Sequence, residues 1–384
     1  MKKVRGLILA AVAVLFAGCV MPQNPSNKSE DDGEYKGHIT KNVTFENETI
    51  YINHSLFVEK GGVLNCTNAT IKFGPNGKIT VRPNSGIYAV GTVFTSCNDD
   101  AHGEILKVSK AKPAPNDWQG VLIGGGKGAF TNCTFSYAGA GKNGTSALAS
   151  DWYERKKGEM IVLNCTFANN GGIDSALGGT AALCFGGNAA AFDSENNYVS
   201  TSTFKDNLWP LCIPTDFSIT DSSNTFENNK YNGVYVAFDN ERKIENETVW
   251  AHLSVPYCYM HGSANLYICD AVNKPHAGLL NIKGGTASEP TVIKFYAGAL
   301  ELQHNTNNDS VDPGFLYVGD NVLFTSYDDD GEWAGIWLDG FEGINLYYTT
   351  NKTHNIVVEN YNPESRKING TAKDISNYNP KERG

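Results

Sequence analysis

The stretch from Ile71-Lys72-Phe73 to Trp118-Gln119-Gly120-Val121 contains five short apolar blocks, which return in the same order from Ile293-Lys294-Phe295 to Trp333-Ala334-Gly335-Ile336. The three blocks between these ends are Lys78-Ile79-Thr80-Val81, Tyr88-Ala89-Val90-Gly91 and Phe94-Thr95-Ser96 in the first copy, and Ala299-Leu300-Glu301-Leu302, Leu316-Tyr317-Val318-Gly319 and Phe324-Thr325-Ser326 in the second. Blocks that keep their order while their spacing drifts indicate a shared framework of strands with loops of different length. The strands are therefore predicted to stack into one elongated β-solenoid.

A shorter pattern ending in Thr-Phe repeats between the two copies. It occurs as Asn132-Cys133-Thr134-Phe135, Asn164-Cys165-Thr166-Phe167, Ser202-Thr203-Phe204 and Asn224-Thr225-Phe226, and turns with Asn169-Asn170, Asn207 and Asn228-Asn229 follow the last three. The smallest spacing between the Phe residues, 226 − 204 = 22, suits one coil of a parallel β-solenoid. We expect each Phe to point inward and stack on the next, and the turn asparagines to form ladders. An antiparallel sandwich would instead favour many Asn-Gly hairpin turns, and few occur.

The composition agrees with strands joined by tight turns. Among 384 residues there are 40 glycines and 4 methionines, and the formal net charge is −10. No run of Lys and Arg interleaves with aromatic residues, so nucleic acid is not an expected partner.

The N-terminus reads as a targeting segment. Lys2, Lys3 and Arg5 precede an apolar run over residues 7–16, which is too short for a membrane-spanning helix. The run ends in Leu15-Phe16-Ala17-Gly18-Cys19, which resembles the lipobox of bacterial lipoproteins. That resemblance implies a signal peptide over 1–18, lipidation of Cys19, and a lipid anchor in the cell envelope, at the outer membrane or cell surface. An ordinary signal peptide is the alternative.

Eight cysteines remain after Cys19, which permits disulfides in an exported protein. We expect some of them to be stacked, buried thiols at equivalent strand positions. Cys258 and Cys269 are the best candidates for a disulfide, because they lie on neighbouring strands of one short module. None of the cysteines has zinc-ligand spacing.

The order Trp, Pro-Tyr, Ile-Lys-Phe, Phe-Thr-Ser, Trp-x-Gly-Ile and Asn-Cys-Thr-Phe resembles bacterial right-handed parallel β-helix repeat proteins, many of them surface lipoproteins. Val249-Trp250-Ala251-His252 and Pro256-Tyr257 open this order in the second copy. The resemblance implies an all-β, right-handed parallel β-helix of about a dozen coils. We divide the chain into a tether (19–37), a first copy (38–245), a second copy (246–362) and a cap or tail (363–384).

Pectate lyases share this fold, but the fold does not determine activity. The Asn-Thr-Asp, Gly-Asp-Asp and Gly-His-Gly motifs of pectin hydrolysis do not occur in the sequence. Two acidic turns stand at equivalent places, Asn98-Asp99-Asp100 and Asp328-Asp329-Asp330. Asp99, Asp100, Asp328 and Asp330 are either solvated turn residues or ligands of a structural Ca²⁺. No other cofactor is expected.

An aromatic pair, Trp152-Tyr153, lies among charges that include Arg155 in a segment (140–160) that reads as a loop inserted between coils. Aromatic rings and fixed charges on a protruding loop are typical of sites that grip a sugar or peptide, so these three residues are predicted to contact a ligand. Trp118 and Trp333, which open matched strands, are predicted to be structural.

The sequence thus favours a non-catalytic, lipid-anchored surface protein that displays a β-helix for binding a glycan or an envelope or matrix partner. A polysaccharide lyase or glycoside hydrolase on the same fold is the first alternative. A structural component of the envelope is the second.

Overall fold

The computed structural model describes residues 34–140, 145–154, 156–175, 180–186, 196–237, 243–262, 264–269, 278–303, 314–339 and 355–360. Within these ranges the regular secondary structure consists of short β-strands. No helix in this part of the chain is long and apolar enough to cross a membrane.

The strands, numbered along the chain, form five sheets. The long sheet contains β1 (Gly37–Ile39), β4 (Ser55–Val58), β7 (Lys78–Val81), β10 (Gly120–Gly124), β13 (Leu148–Tyr153), β17 (Ala181–Phe185), β20 (Trp209–Pro214), β22 (Val234–Ala237), β25 (Tyr257–Tyr259), β28 (Thr291–Phe295), β31 (Val322–Ser326), β33 (Ile356–Val358) and, beside β13, β14 (Lys156–Lys157). The second sheet contains β2 (Asn42–Glu46), β5 (Val63–Thr67), β8 (Gly86–Val90), β11 (Lys127–Thr131), β15 (Glu159–Leu163) and β18 (Asn197–Ser200). The third contains β3 (Thr49–Ile52), β6 (Thr70–Phe73), β9 (Val93–Ser96), β12 (Thr134–Ser136), β16 (Thr166–Ala168), β19 (Thr203–Lys205) and β21 (Thr225–Glu227). The fourth contains β23 (Lys243–Ile244), β26 (Leu266–Cys269), β29 (Leu300–Gln303) and β32 (Ile336–Asp339), and the fifth β24 (Glu247–Trp250), β27 (Leu279–Ile282) and β30 (Phe315–Val318).

Each coil of the chain adds one strand to the long sheet. Without the side strand β14, the thirteen-stranded sheet leaves twelve strands in line, from β1 to β33. All pairings between described coils are parallel, and β13 with β14 is antiparallel. In the first part a coil passes through the long, second and third sheets, and in the last part through the long, fourth and fifth. Parallel sheets joined in this way are a β-helix, and one sheet runs through both copies of the repeat.

The predicted stack of phenylalanines forms the centre of the third sheet's inner face. Phe94, Phe135, Phe167, Phe204 and Phe226 lie over one another with ring centroids 4.6, 5.0, 5.1 and 5.2 Å apart and nearly parallel planes. Strand register places each Phe opposite the next. Buried aromatic contacts of this size dominate the energy of a core.

The predicted asparagine ladder is also present, and the two successive asparagine positions of a turn have different structural roles. Asn170 Nδ2 donates to Asn207 Oδ1 at 2.9 Å, and Asn207 Nδ2 donates to Asn229 Oδ1 at 3.0 Å. These three side chains are buried. The residues just before two of them, Asn169 and Asn228, have φ of 57° and 52°. The first position therefore turns the chain, since asparagine tolerates the left-handed region, and the second links the coils.

The two copies of the long repeat lie on different sides of the coil. Ile71-Lys72-Phe73 forms part of β6 in the third sheet, whereas Ile293-Lys294-Phe295 forms part of β28 in the long sheet. The other matched blocks shift in the same direction, so that a strand of the long sheet in the first copy corresponds to one of the fourth sheet in the second. Each block keeps its inward and outward residues, because alternation along a strand is the same on every side of the coil.

Trp118 and Trp333 are structural, as predicted. Trp118 stacks on Phe73 with ring centroids 4.1 Å apart, and Trp333 stacks on Phe295 at 4.6 Å. Each indole is buried, and its Nε1 donates to a backbone carbonyl: Trp118 to Ser136 at 2.7 Å and Trp333 to Glu359 at 2.9 Å.

Replacing Asn207 tests the ladder. Its Oδ1 accepts from Asn170 N at 3.1 Å, and its Nδ2 donates to Phe167 O at 2.9 Å, so Asn207→Ala leaves several buried groups unpaired. We expect a loss of about 3 kcal/mol in the free energy of unfolding, measured by urea denaturation. Lys205→Ala, an exposed change on the adjacent strand β19, should stay within about 0.5 kcal/mol of wild type. Equal stability of the two variants would show that the ladder contributes little.

Candidate functional site

A groove lies on the outer face of the long sheet, between β20 and β31. Its cavity volume is about 360 Å³, within the range of small-molecule sites. We call it the aromatic groove, and it is lined by Trp209, Lys230, Tyr231, Asn232, Gly233, Pro256, Cys258, Lys294, Tyr327, Asp328 and Asp329. Four inter-strand steps separate β20 from β31, which corresponds to about 19 Å along the solenoid axis.

The wall of the groove nearest β20 is aromatic: Tyr231 is partly exposed there, and the buried Trp209 supports it from behind. Trp209 stacks on Tyr231 with ring centroids 5.1 Å apart and meets the ring of Tyr235 edge-on at 5.4 Å. Trp209 and Tyr231 are 231 − 209 = 22 residues apart, the spacing that also separates Phe204 from Phe226. One turn of the shortest coil therefore stacks an outer pair of rings as well as an inner pair.

At this end of the groove, Asp174 holds both a lysine and a tyrosine. Lys230 Nζ forms an ion pair with Asp174, and the Tyr231 hydroxyl donates to Asp174 Oδ1 at 2.9 Å. The hydrogen bond to Asp174 raises the pKa of Tyr231, and the same carboxylate raises the pKa of Lys230. The charge of Lys230 is thus already balanced.

Lys294 stands at the other end of the groove. Its Nζ lies 5.9 Å from the ring centroid of Tyr327, and within the described residues it forms no hydrogen bond or ion pair. Burial raises the pKa of Tyr327 to about 12, with smaller contributions from Cys258, Tyr231 and Asp328. Near neutral pH the groove therefore presents a protonated phenol from Tyr327, next to the side chain of Lys294 and the exposed side chains of Asp328 and Asp329.

The floor of the groove includes a thiol. Strand register places Cys258 between Tyr235 and Lys294, on the face opposite the core residues Tyr257 and Tyr259. Burial raises the pKa of Cys258 to about 12, against the opposing effect of the Lys294 charge. A thiol held protonated in this way is a packing residue rather than a nucleophile.

The predicted disulfide between Cys258 and Cys269 is wrong. Both residues carry thiols in the structure. Cys258 lies in β25 of the long sheet and Cys269 in β26 of the fourth sheet, so the two strands follow one another along the chain but occupy different sides of the coil. The expectation of stacked thiols is confirmed by Cys133 and Cys165, where Cys133 N donates to Cys165 Sγ at 3.4 Å.

The four aspartates for which the sequence left open solvated turns or a structural Ca²⁺ site do not lie together in one cluster. The Asp99 side chain is buried and accepts from Thr95 Oγ1 at 2.6 Å and from Ala101 N at 3.1 Å, and it contacts His102 Nδ1 at 2.8 Å. Asp100 accepts from Ser109 Oγ at 2.9 Å. Asp328 and Asp330 are exposed in the turn after β31. Among the described residues, no group of three or more His, Cys, Asp or Glu side chains could hold a metal.

The segment that contains Trp152 and Tyr153 is not an inserted loop. Residues Leu148–Tyr153 form β13 of the long sheet, anchored by the buried Leu148 between Val121 and Leu183. Trp152 then pairs with Lys157 in a short antiparallel extension. The side chains of Trp152 and Tyr153 and the whole of Arg155 lie outside the described structure, so their contact with a ligand stays a prediction.

A family model described as a right-handed beta helix region matches residues 96–270. Together with the parallel sheets, this match shows that the fold is an all-β, right-handed parallel β-helix, as the sequence predicted. Neither a curated protein nor a solved structure matches the chain.

Thiol labelling tests the corrected cysteine assignment. After denaturation without reductant, iodoacetamide should alkylate both Cys258 and Cys269, as read by peptide mass spectrometry. In the native protein at pH 8, Cys258 should resist the reagent, because a pKa of about 12 leaves on the order of one thiolate in ten thousand. A peptide cross-linked through Cys258 and Cys269 would contradict this assignment.

Proposed function

We propose that the protein is a non-catalytic, lipid-anchored β-helix of the cell surface that binds a glycan in the aromatic groove. One observation carries the proposal: the partly exposed rings of Tyr231 and Tyr327 line a groove that also contains lysine amines and carboxylates. Rings with an apolar face and a polar edge suit sugars, which present apolar faces between hydroxyl groups. An envelope or matrix protein is the alternative partner, and Trp152, Tyr153 and Arg155 provide a second candidate contact.

The chemistry of the groove supports binding over turnover. Asp328 and Asp329 are exposed neighbours in one turn, whereas a glycosidase holds two carboxylates on opposite sides of the scissile bond. A β-helix lyase would need a base beside a bound cation, and among the described residues the groove has no group of metal-binding side chains.

The anchor rests on the sequence alone. A basic start, a short apolar run and Cys19 after Ala17-Gly18 support lipidation of Cys19 and export to the cell envelope. Each methylene of an attached acyl chain that enters the membrane contributes about 0.8 kcal/mol, so acylation at Cys19 would hold the protein at a membrane.

Substitution of Tyr327 tests glycan binding. Detergent-solubilised full-length protein should bind specific glycans on an array, and Tyr327→Ala should weaken that binding at least about fivefold through loss of ring contact. Tyr317→Ala is the matched control, because Tyr317 is a half-buried tyrosine on β30 of the fifth sheet. An array without signal for the wild-type protein would remove the glycan proposal and leave the protein partner or the structural role.

The same glycans can be used to test for turnover. Mass spectrometry of each bound glycan after prolonged incubation should recover it intact. Depolymerisation that Asp329→Asn abolishes would replace the binding protein with a lyase or hydrolase.

Lipidation can be tested in cells. A bacterial host fed an alkyne-tagged palmitate should label the wild-type protein, and Cys19→Ala should remove the label, because the thiol of Cys19 is the predicted acceptor. An unlabelled wild-type protein in a host that labels its own lipoproteins would overturn the anchor.

A further inference from the structure

One lysine of the repeat has different surroundings in the two copies. Lys72 and Lys294 are the central residues of the matched blocks Ile71-Lys72-Phe73 and Ile293-Lys294-Phe295, and both point away from the core. Each has a matched threonine opposite it on the next strand, Thr95 for Lys72 and Thr325 for Lys294. The two sites are therefore equivalent positions of the repeat.

In the first copy the chain itself covers the lysine. Residues 97–117, which we call the covering segment, follow β9 and pass over the third sheet, where Glu104 N donates to Thr49 Oγ1. Lys72 is fully buried, and its Nζ donates to two backbone carbonyls, Asp99 O at 2.8 Å and Glu104 O at 2.6 Å. The oxygens that satisfy this amine belong to uncharged amides.

The second copy lacks the covering segment. There, 6 residues (327–332) separate Ser326 from Trp333, whereas 21 residues (97–117) separate Ser96 from Trp118 in the first copy. Lys294 consequently faces the aromatic groove, without an amide oxygen from the described part of the chain. The groove occupies the position that the covering segment fills in the first copy.

The charges around Lys294 disfavour an anionic ligand. The lining contains two lysines, Lys230 and Lys294, and two aspartates, Asp328 and Asp329. Lys230 is paired with Asp174, so the lining and Asp174 together carry one more negative than positive charge. A carboxylate placed there would meet like charge, whereas an uncharged oxygen acceptor would not. Lys72 has the same arrangement, with Asp99 and Asp100 near its ammonium and neutral carbonyls bound to it.

We infer that the aromatic groove recognises an N-acetylated sugar, whose acetamido carbonyl accepts a hydrogen bond from Lys294 as the backbone carbonyls of the covering segment do from Lys72. This inference rests on the proposed glycan binding and specifies its ligand class. The acetamido group supplies the amide oxygen, and the sugar ring supplies a face for the aromatic wall. The ring of Tyr327, beside Lys294, contacts the same sugar.

A matched pair of ligands provides the test. Chitotetraose and cellotetraose share a β-1,4-linked glucose backbone and differ in the acetamido group. In titration calorimetry, wild-type protein should bind chitotetraose at least about tenfold more tightly than cellotetraose. Lys294→Met should reduce that affinity about tenfold to a hundredfold and abolish the preference, because a hydrogen bond from a charged donor is lost. Lys283→Met, the same change at an exposed lysine outside the groove, should retain both.

The outcomes separate the inference from the function on which it rests. Equal binding of the two tetrasaccharides, or tighter binding of tetragalacturonate, would overturn the N-acetyl preference and leave glycan binding intact. Chitotetraose binding unaffected by Lys294→Met in a protein with wild-type melting temperature would also overturn it. Absence of binding to every glycan on the array would remove the proposed function itself. Binding of a casein digest that Tyr327→Ala abolishes, in a protein that does not bind chitotetraose, would assign the groove to polypeptide.

Discussion

Parallel pairing in constant register is the constraint on which the rest of the structure depends. Because the strands of successive coils pair in parallel, with the hairpin strand β14 as an exception, a side chain lies over the residue at the same position of the next coil. The same residue type can therefore recur at a position only if two copies of its side chain can contact each other favourably. Phe gains ring contact, as Phe167 does with Phe204, and Asn gains a hydrogen bond, as Asn170 does with Asn207. Repeated charges in such a column would repel one another.

This constraint explains why the fold could be predicted from one sequence. Phe204 and Phe226, followed by Asn207 and Asn229, repeat at the spacing of a complete coil, so residue type and distance along the chain both indicate stacking. The displacement of the second copy could not be predicted. Inward and outward residues alternate in the same way in all three strands of a coil. The order of the blocks along the chain is also the same whichever sheet contains the first block, so the sequence does not indicate which sheet that is.

The candidate site was largely missed for a related reason. The 22-residue spacing is marked by a shared Thr-Phe motif at the inward Phe residues, whereas the outward pair Trp209 and Tyr231 has the same spacing but differs in residue type. The predicted pairing of Cys258 with Cys269 failed because neighbours along the chain are not neighbours in space here. In a solenoid, consecutive strands diverge to different sides, and contacts form between residues one coil apart. The groove draws its lining from such distant segments, which local motifs do not reveal.

The continuity of the long sheet has a mechanical consequence. Eight inter-strand steps lead from β1 to β25, about 38 Å along the axis, and the hydrogen bonds between strands lie along this direction. The aromatic groove lies in the half of the long sheet farther from β1, so the proposed lipidation of Cys19 would attach the protein to the membrane at the end of the solenoid away from the groove. A pull on a bound ligand along the axis would load the inter-strand hydrogen bonds of each coil in series. The least stable pair of neighbouring strands, rather than the average pair, would then limit the force that the protein withstands.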